Sequence, residues 1–103
     1  MKDPKELVQE IIEKFREKKI ARGQRASFGY IRETSNAVIV SRENGDDTRV
    51  PFKKIELAIE FYRDHLEDYD EGPVKLRKCG LTHITSPIWA LIHLISKSKL
   101  LEN

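Results

Sequence analysis

Cysteine is nearly missing from this chain: Cys79 stands alone among 103 residues. A disulfide framework and a cysteine-only metal cage are therefore excluded. Long apolar runs are missing too. The longest, residues 84–95, is interrupted by Ser86, Pro87 and His93. It falls short of the roughly 18–20 apolar residues that a membrane-spanning helix needs, so no membrane partner is expected. The N-terminal residues lead into a charged helical pattern with no apolar signal region, which makes the expected location cytoplasmic. Glycine-rich phosphate loops, Gly-x-Ser-x-Gly and His-Glu-x-x-His are all absent. No enzyme class, cofactor or small-molecule substrate is indicated. Amides and sulfur are scarce, with two Gln, three Asn, one Cys and one Met beside 35% charged residues. Heat-adapted proteins share that bias.

What is present favours one folded domain. Val, Ile, Leu and Phe make up 29 residues, or 28% of the chain, above the level of about 20% below which chains stay disordered. A chain of this length builds a single core. Its net charge of only +2 hides a strong segregation. Between residues 16 and 32 lie Arg16, Lys18, Lys19, Arg22, Arg25 and Arg32 against Glu17 alone. Lys75, Arg77, Lys78, Lys97 and Lys99 occupy residues 74–99 with no acid among them. Residues 64–71 hold Asp64, Glu67, Asp68, Asp70 and Glu71 with no basic Lys or Arg. Local fields, more than net charge, attract a phosphate backbone, so two basic stretches folded onto one face would form a footprint.

Hydrophobic periodicity divides the chain in three. Asp3 as N-cap and Pro4 as first helical residue open a helix over residues 1–23. Its stripe is Leu7, Val8, Ile11, Ile12 and Phe15, and Gly23 is the expected C-cap. Residues 26–52 switch to alternation and predict three strands of an antiparallel meander. The first carries Phe28 and Tyr30 on one face, the second is 37–40, and the third, 48–52, returns from an Asn44-Gly45 hairpin. Residues 53–99 return to helical spacing. They predict a helix over 53–69, a short helix over 74–79 closed by Gly80, a connector, and a last helix opened by Ser86-Pro87. The expected fold is α+β: an N-terminal helix, a three-stranded antiparallel meander and a C-terminal three-helix unit.

Chemistry-bearing clusters are thin. Asp46-Asp47 sits in a hairpin tip, where acids serve turns. Cys79 and His83 have ligand-like spacing, but only His65 and His93 remain to complete a zinc site, so no metal is expected. A metal-independent nuclease would need a set such as His83, Arg77 and Tyr30, and it stays a remote alternative.

The short helix 74–79, the turn at Gly80 and the helix opened by Ser86-Pro87 resemble a helix-turn-helix unit, with 53–69 completing three helices. The hairpin flanked by Arg42 and Arg49 resembles the wing of winged-helix DNA-binding domains, although here the strands precede the unit instead of following it. The resemblance implies a non-catalytic, double-stranded-DNA-binding transcriptional regulator. It places Thr82, His83, Thr85 and Ser86 at the major groove. It also implies phosphate contacts from Lys75, Arg77 and Lys78, and wing contacts from Arg42, Asn44 and Arg49. The outer face of the last helix would be Trp89, His93 and Lys97. The alternative is a protein-interaction module without nucleic-acid binding. Both readings carry the expectation of a homodimer through the apolar faces of the first and last helices.

Overall fold

The computed structural model describes residues 1–102. Asp3 caps the first helix as expected, its carboxylate accepting from the Lys5 N–H at 2.9 Å, and α1 runs Pro4–Lys18. Sequence periodicity carries this helix to about Arg22 with Gly23 as its cap. The structure instead ends it at Lys18, where Lys19 adopts φ 69° and returns its N–H to the Phe15 carbonyl at 2.8 Å. The chain then enters an unexpected strand.

That strand corrects the meander from three strands to four. β1 (Ile20–Arg22), β2 (Ser27–Glu33), β3 (Ala37–Arg42) and β4 (Thr48–Pro51) form one antiparallel sheet in the order β1-β2-β3-β4. Three residues are too few for alternation to be visible, and Ala21 alone points into the core. Gly23 closes the β1–β2 turn. A Cβ there would lie 2.7 Å from the Ala26 carbonyl oxygen and 3.2 Å from the Phe28 ring, so a larger residue would push the hairpin open.

The sheet has one covered and one open face. Ala21, Phe28, Val38, Val40 and Val50 join the α1 stripe in a single core cluster. Residues of the opposite parity, Ile20, Arg22, Ile31, Arg32 and Arg49, are exposed. A bulge between Tyr30 and Arg32 shifts the β2–β3 register, so that Tyr30 pairs with Val40 and Arg32 with Ile39. The extra residue puts Ile31 and Arg32 both on the open face, where strict alternation would have turned Arg32 inward.

α2 (Phe52–Asp64) buries Ile55, Ala58, Ile59, Phe61 and Tyr62. It stops short of the expected Tyr69 because His65 takes its own turn apart. The His65 ring stacks on Phe61 at 4.4 Å with Nδ1 3.0 Å from the Phe61 carbonyl oxygen, while its backbone N–H bonds Tyr62 instead. A 3₁₀ turn (Leu66–Asp68) then leads to buried Tyr69. The short helix expected at 74–79 is a 3₁₀ helix, Pro73–Cys79, closed by Gly80 as expected. α3 (Thr85–Ile92) begins with Ile84 at the cap position, so Ser86 lies within its first turn, and no side chain caps it. It ends at His93, earlier than the sequence suggests: the His93 N–H still bonds the Trp89 carbonyl oxygen at 3.1 Å, with ring Nδ1 2.9 Å from the same oxygen, but the Leu94 and Ile95 N–H groups bond Leu91 and Ile92, three residues back, at 3.0 and 3.2 Å. A last 3₁₀ helix (Lys97–Leu101) is held by Arg63, which donates to the carbonyl oxygens of Leu100 and Lys2, both at 2.6 Å.

The apolar faces that suggested a homodimer are consumed inside one chain. Leu7, Val8, Ile11, Ile12 and Phe15 are buried, as are Ile88, Leu91, Ile92 and Ile95. At roughly 1.5–3 kcal/mol for each large side chain removed from water, these residues drive folding of the chain itself. No helix among the described residues is long and apolar enough to cross a membrane.

Candidate nucleic-acid interface

Folding undoes half of the charge segregation seen in the sequence. Three of the C-terminal lysines land on the acidic stretch before them: Lys75 on Glu71 (3.9 Å), Lys78 on Asp68 (3.8 Å) and Lys97 on Asp70 (3.0 Å). Lys99 lies between Glu10 and Glu102. The N-terminal basic stretch fares differently. Arg16 pairs with Glu33 at 2.7 Å, whereas Arg22, Arg25 and Arg32 are exposed and make no side-chain hydrogen bond or ion pair among the described residues. Arg77 is also exposed and free of such a partner.

The 3₁₀ geometry explains why Arg77 differs from its neighbours. Side chains three apart eclipse in such a helix, so Pro73 and Leu76 turn inward and Lys75 with Lys78 forms the acid-facing row. Val74 and Arg77 share the remaining row, and Val74 is 63% exposed. Val74 and Pro73 line a groove of about 230 Å³ with Gln24, Arg25 and Ser86. Gly72, just before Pro73, lies close against the Gln24 side chain. Its φ is +108°, and a Cβ on it would lie 2.7 Å from the Gln24 side-chain oxygen, so the β1–β2 turn packs directly on this segment.

The hairpin reaches the same end of the molecule. Arg42 donates from Nε to the Thr48 hydroxyl at 2.6 Å and from Nη2 to the His83 carbonyl oxygen at 2.9 Å. His83 itself is exposed with φ 65°, and Thr82 beside it is exposed as well. Thus Arg42, Thr82, His83, Thr85 and Ser86 gather around the uncapped start of α3, with Arg25 and Val74 across the groove and Arg77 one 3₁₀ turn beyond Val74. Asn44 is exposed at the hairpin tip, and Arg49 is exposed on β4 with Nη2 bound to Asn36 at 2.9 Å.

Trp89, His93 and Lys97 are not an open face. The Trp89 indole donates to the Tyr69 carbonyl at 3.0 Å and its ring stacks on His93 at 3.8 Å. His93 also stacks on Tyr69, at 4.0 Å, and burial holds its imidazole below the ordinary value. Lys97 lies over the Tyr69 ring while bound to Asp70. On α3 the first two residues, Thr85 and Ser86, are open to a ligand, whereas Pro87, Ile88, Ala90, Leu91 and Ile92 are buried.

Of the nuclease set His83, Arg77 and Tyr30, Tyr30 is engaged elsewhere. The Tyr30 hydroxyl donates to Glu33 at 2.7 Å and Arg16 donates to the same carboxylate at 2.8 and 3.0 Å. Burial pushes the Glu33 carboxyl up, but those bonds outweigh it and hold the group below its usual range. The Cys79 thiol donates to the Leu76 carbonyl at 3.1 Å, and burial raises its pKa. Among the described residues no three His, Cys, Asp or Glu side chains come together in a way that could hold a metal ion.

Comparison with protein families, with curated proteins and with solved structures finds no match for this chain. Arg25 is part of a basic stretch in the sequence, but nothing in the spacing puts it at the site. The signal that places it is the Gly23-x-x-Ala26 turn, which returns the chain onto Gly72 and Pro73.

Proposed function

We propose that this protein binds double-stranded DNA without catalysis, through the end of the molecule where the β3–β4 hairpin meets the start of α3. The observation that carries this reading is the sorting of charge. Lys75, Lys78 and Lys97 are engaged by carboxylates, whereas Arg25, which lines the groove with Val74 and Ser86, and Arg77, one 3₁₀ turn on from Val74, are left exposed. Guanidinium groups suit phosphate because their N–H donors match its oxygens two at a time. The uncapped first turn of α3 adds the Thr85 and Ser86 N–H groups, of the kind that donate to a phosphate oxygen. Arg25 and Arg77 fix the backbone, the hairpin flanks it with Arg42 and Asn44, and Thr82, His83, Thr85 and Ser86 are the side chains within reach of base edges. A transcriptional role follows from this reading only through base preference, which the first turn of α3 would have to supply.

The test is fluorescence anisotropy with a labelled mixed-sequence duplex at low and moderate salt. For a phosphate binder the logarithm of the affinity falls linearly with log salt, with a slope of about 0.9 for each phosphate contacted. Binding with such a slope supports the reading. No binding at low salt contradicts it.

A further inference from the structure

The open face of the sheet is unused by the site above. Its outward positions carry Arg22 on β1, Arg32 on β2 and Arg49 on β4, with Ile20, Ile31 and Ile39 between them. None of the outward positions on the four strands is a carboxylate. Glu33 turns inward to Arg16 and Tyr30, and Glu43 sits at one end of the face, bound to the Ser27 N–H at 2.7 Å. Ile39 pairs with Arg32 on one side and with Arg49 on the other. Two guanidiniums therefore flank an isoleucine in a single cross-strand row, with backbones two strand spacings, or roughly 10 Å, apart. The next row is low: a Cβ on Gly29 would meet the Ser41 hydroxyl at 2.5 Å, so Gly29 and Ser41 form a shallow saddle between the arginines and Ile20. Ile20 and Ile31 are 40% and 39% exposed on this flat surface.

We infer that this face binds a single-stranded nucleic acid, laid across the strands with phosphates on Arg22, Arg32 and Arg49 and bases on the isoleucines. Charge complementarity selects a polyanion. A second copy of this chain stacked on the face would bring arginine against arginine, with Glu43 at one end of the face as the acid nearest to offset them. The isoleucines select a single strand from among nucleic acids, since a duplex keeps its base faces stacked inside while a single strand offers them to apolar side chains and guanidinium planes. The duplex site and this face share none of the residues assigned to them, so either can stand without the other.

The experiment is anisotropy with a fluorescein-labelled oligothymidylate, a labelled duplex and a labelled polyglutamate peptide, on wild type and two double variants. Arg32→Ala with Arg49→Ala is expected to flatten the oligothymidylate salt slope by about 1.4, since each phosphate neutralised on a single strand adds about 0.7 to it, and to leave duplex binding unchanged. Arg25→Ala with Arg77→Ala is expected to do the reverse. Ile31→Ser is expected to weaken oligothymidylate severalfold at unchanged slope. All these positions are exposed, and an unchanged urea midpoint confirms that each variant is folded. An unchanged oligothymidylate slope in the folded Arg32/Arg49 variant overturns the inference. So does polyglutamate binding as tightly as oligothymidylate, which would make the face a site for acidic peptides. Failure of the duplex to bind, with oligothymidylate binding intact, overturns the duplex reading alone.

Discussion

Arg42 and His83 lie 41 residues apart in sequence, and the Arg42 guanidinium donates from Nη2 to the His83 carbonyl oxygen at 2.9 Å. With Nε on Thr48, one planar group ties the hairpin to the connector before α3. The connector needs that tie, since His83 holds φ 65°, a conformation that costs a residue other than glycine.

Arg42→Ala should therefore act on both stability and binding. Losing a charge-assisted bond to a carbonyl and one to a hydroxyl at a partly exposed site is worth about 1–2 kcal/mol. Urea denaturation reads that loss, and duplex anisotropy should show weaker binding as the connector loosens. Arg42→Lys should not rescue either quantity, because one ammonium on a flexible stem does not bridge Thr48 and His83 together.

Ile11 is fully buried on α1. Ile11→Ala should cost about 2–5 kcal/mol, the usual range for such a truncation in a packed core. Because the α1 stripe packs within its own chain, the urea midpoint of the wild type should not change with protein concentration. A midpoint that rises with concentration would restore the dimer expectation.

These two predictions rest on parts of the fold with different legibility. α1, the Asn44-Gly45 hairpin and the Gly80 stop were readable because each has a local signature: a cap, a turn pair or a left-handed glycine. β1 was not, because three residues with one buried alanine carry no period. The helix ends at His65 and His93 were not: at His65 the ring nitrogen takes the i−4 carbonyl oxygen from the backbone N–H, a choice that depends on what the ring packs against, and after His93 the ladder tightens to i−3 bonds at Leu94 and Ile95. Arg32 changed faces through a bulge that alternation cannot foresee. For the candidate site, the sequence located the basic stretches. It could not show that Asp68, Asp70 and Glu71 fold back onto Lys78, Lys97 and Lys75, since those pairings depend on the chain reversals at Gly72 and after α3.

His93 supplies a pH prediction. Burial lowers its pKa below the ordinary value of 6.5, with the Trp89 and Tyr69 backbone and the Asp70 charge pulling weakly the other way. The folded state thus favours the neutral ring, and the unfolded chain binds the extra proton. The stability this contributes is complete above about pH 6.5 and is lost as pH falls below it toward the folded value. Thermal melts at pH 7.5 and 5.5 should show a lower Tm at pH 5.5, and His93→Gln should shrink the difference. Acid loss from Glu33 begins only near its ordinary 4.5 and below, outside that window.

Lys97→Ala should leave duplex binding unaltered, because its ammonium is held between Asp70 and the Tyr69 ring. Exposed pairs of this kind contribute about 0–1 kcal/mol, so its melting temperature should move little. A clear loss of duplex affinity in this variant would place the last 3₁₀ helix in the interface.

The central claim is that folding neutralises the C-terminal lysines and leaves Arg25 and Arg77 to meet the phosphate backbone. The measurement that tests it most directly compares two folded double variants, Arg25→Ala/Arg77→Ala and Lys75→Ala/Lys78→Ala, by the slope of log affinity for a mixed-sequence duplex against log salt. The arginine pair should flatten that slope by about 1.8, and the lysine pair by less than about 0.5. Equal flattening by both pairs, or a larger effect from the lysines, would contradict the account.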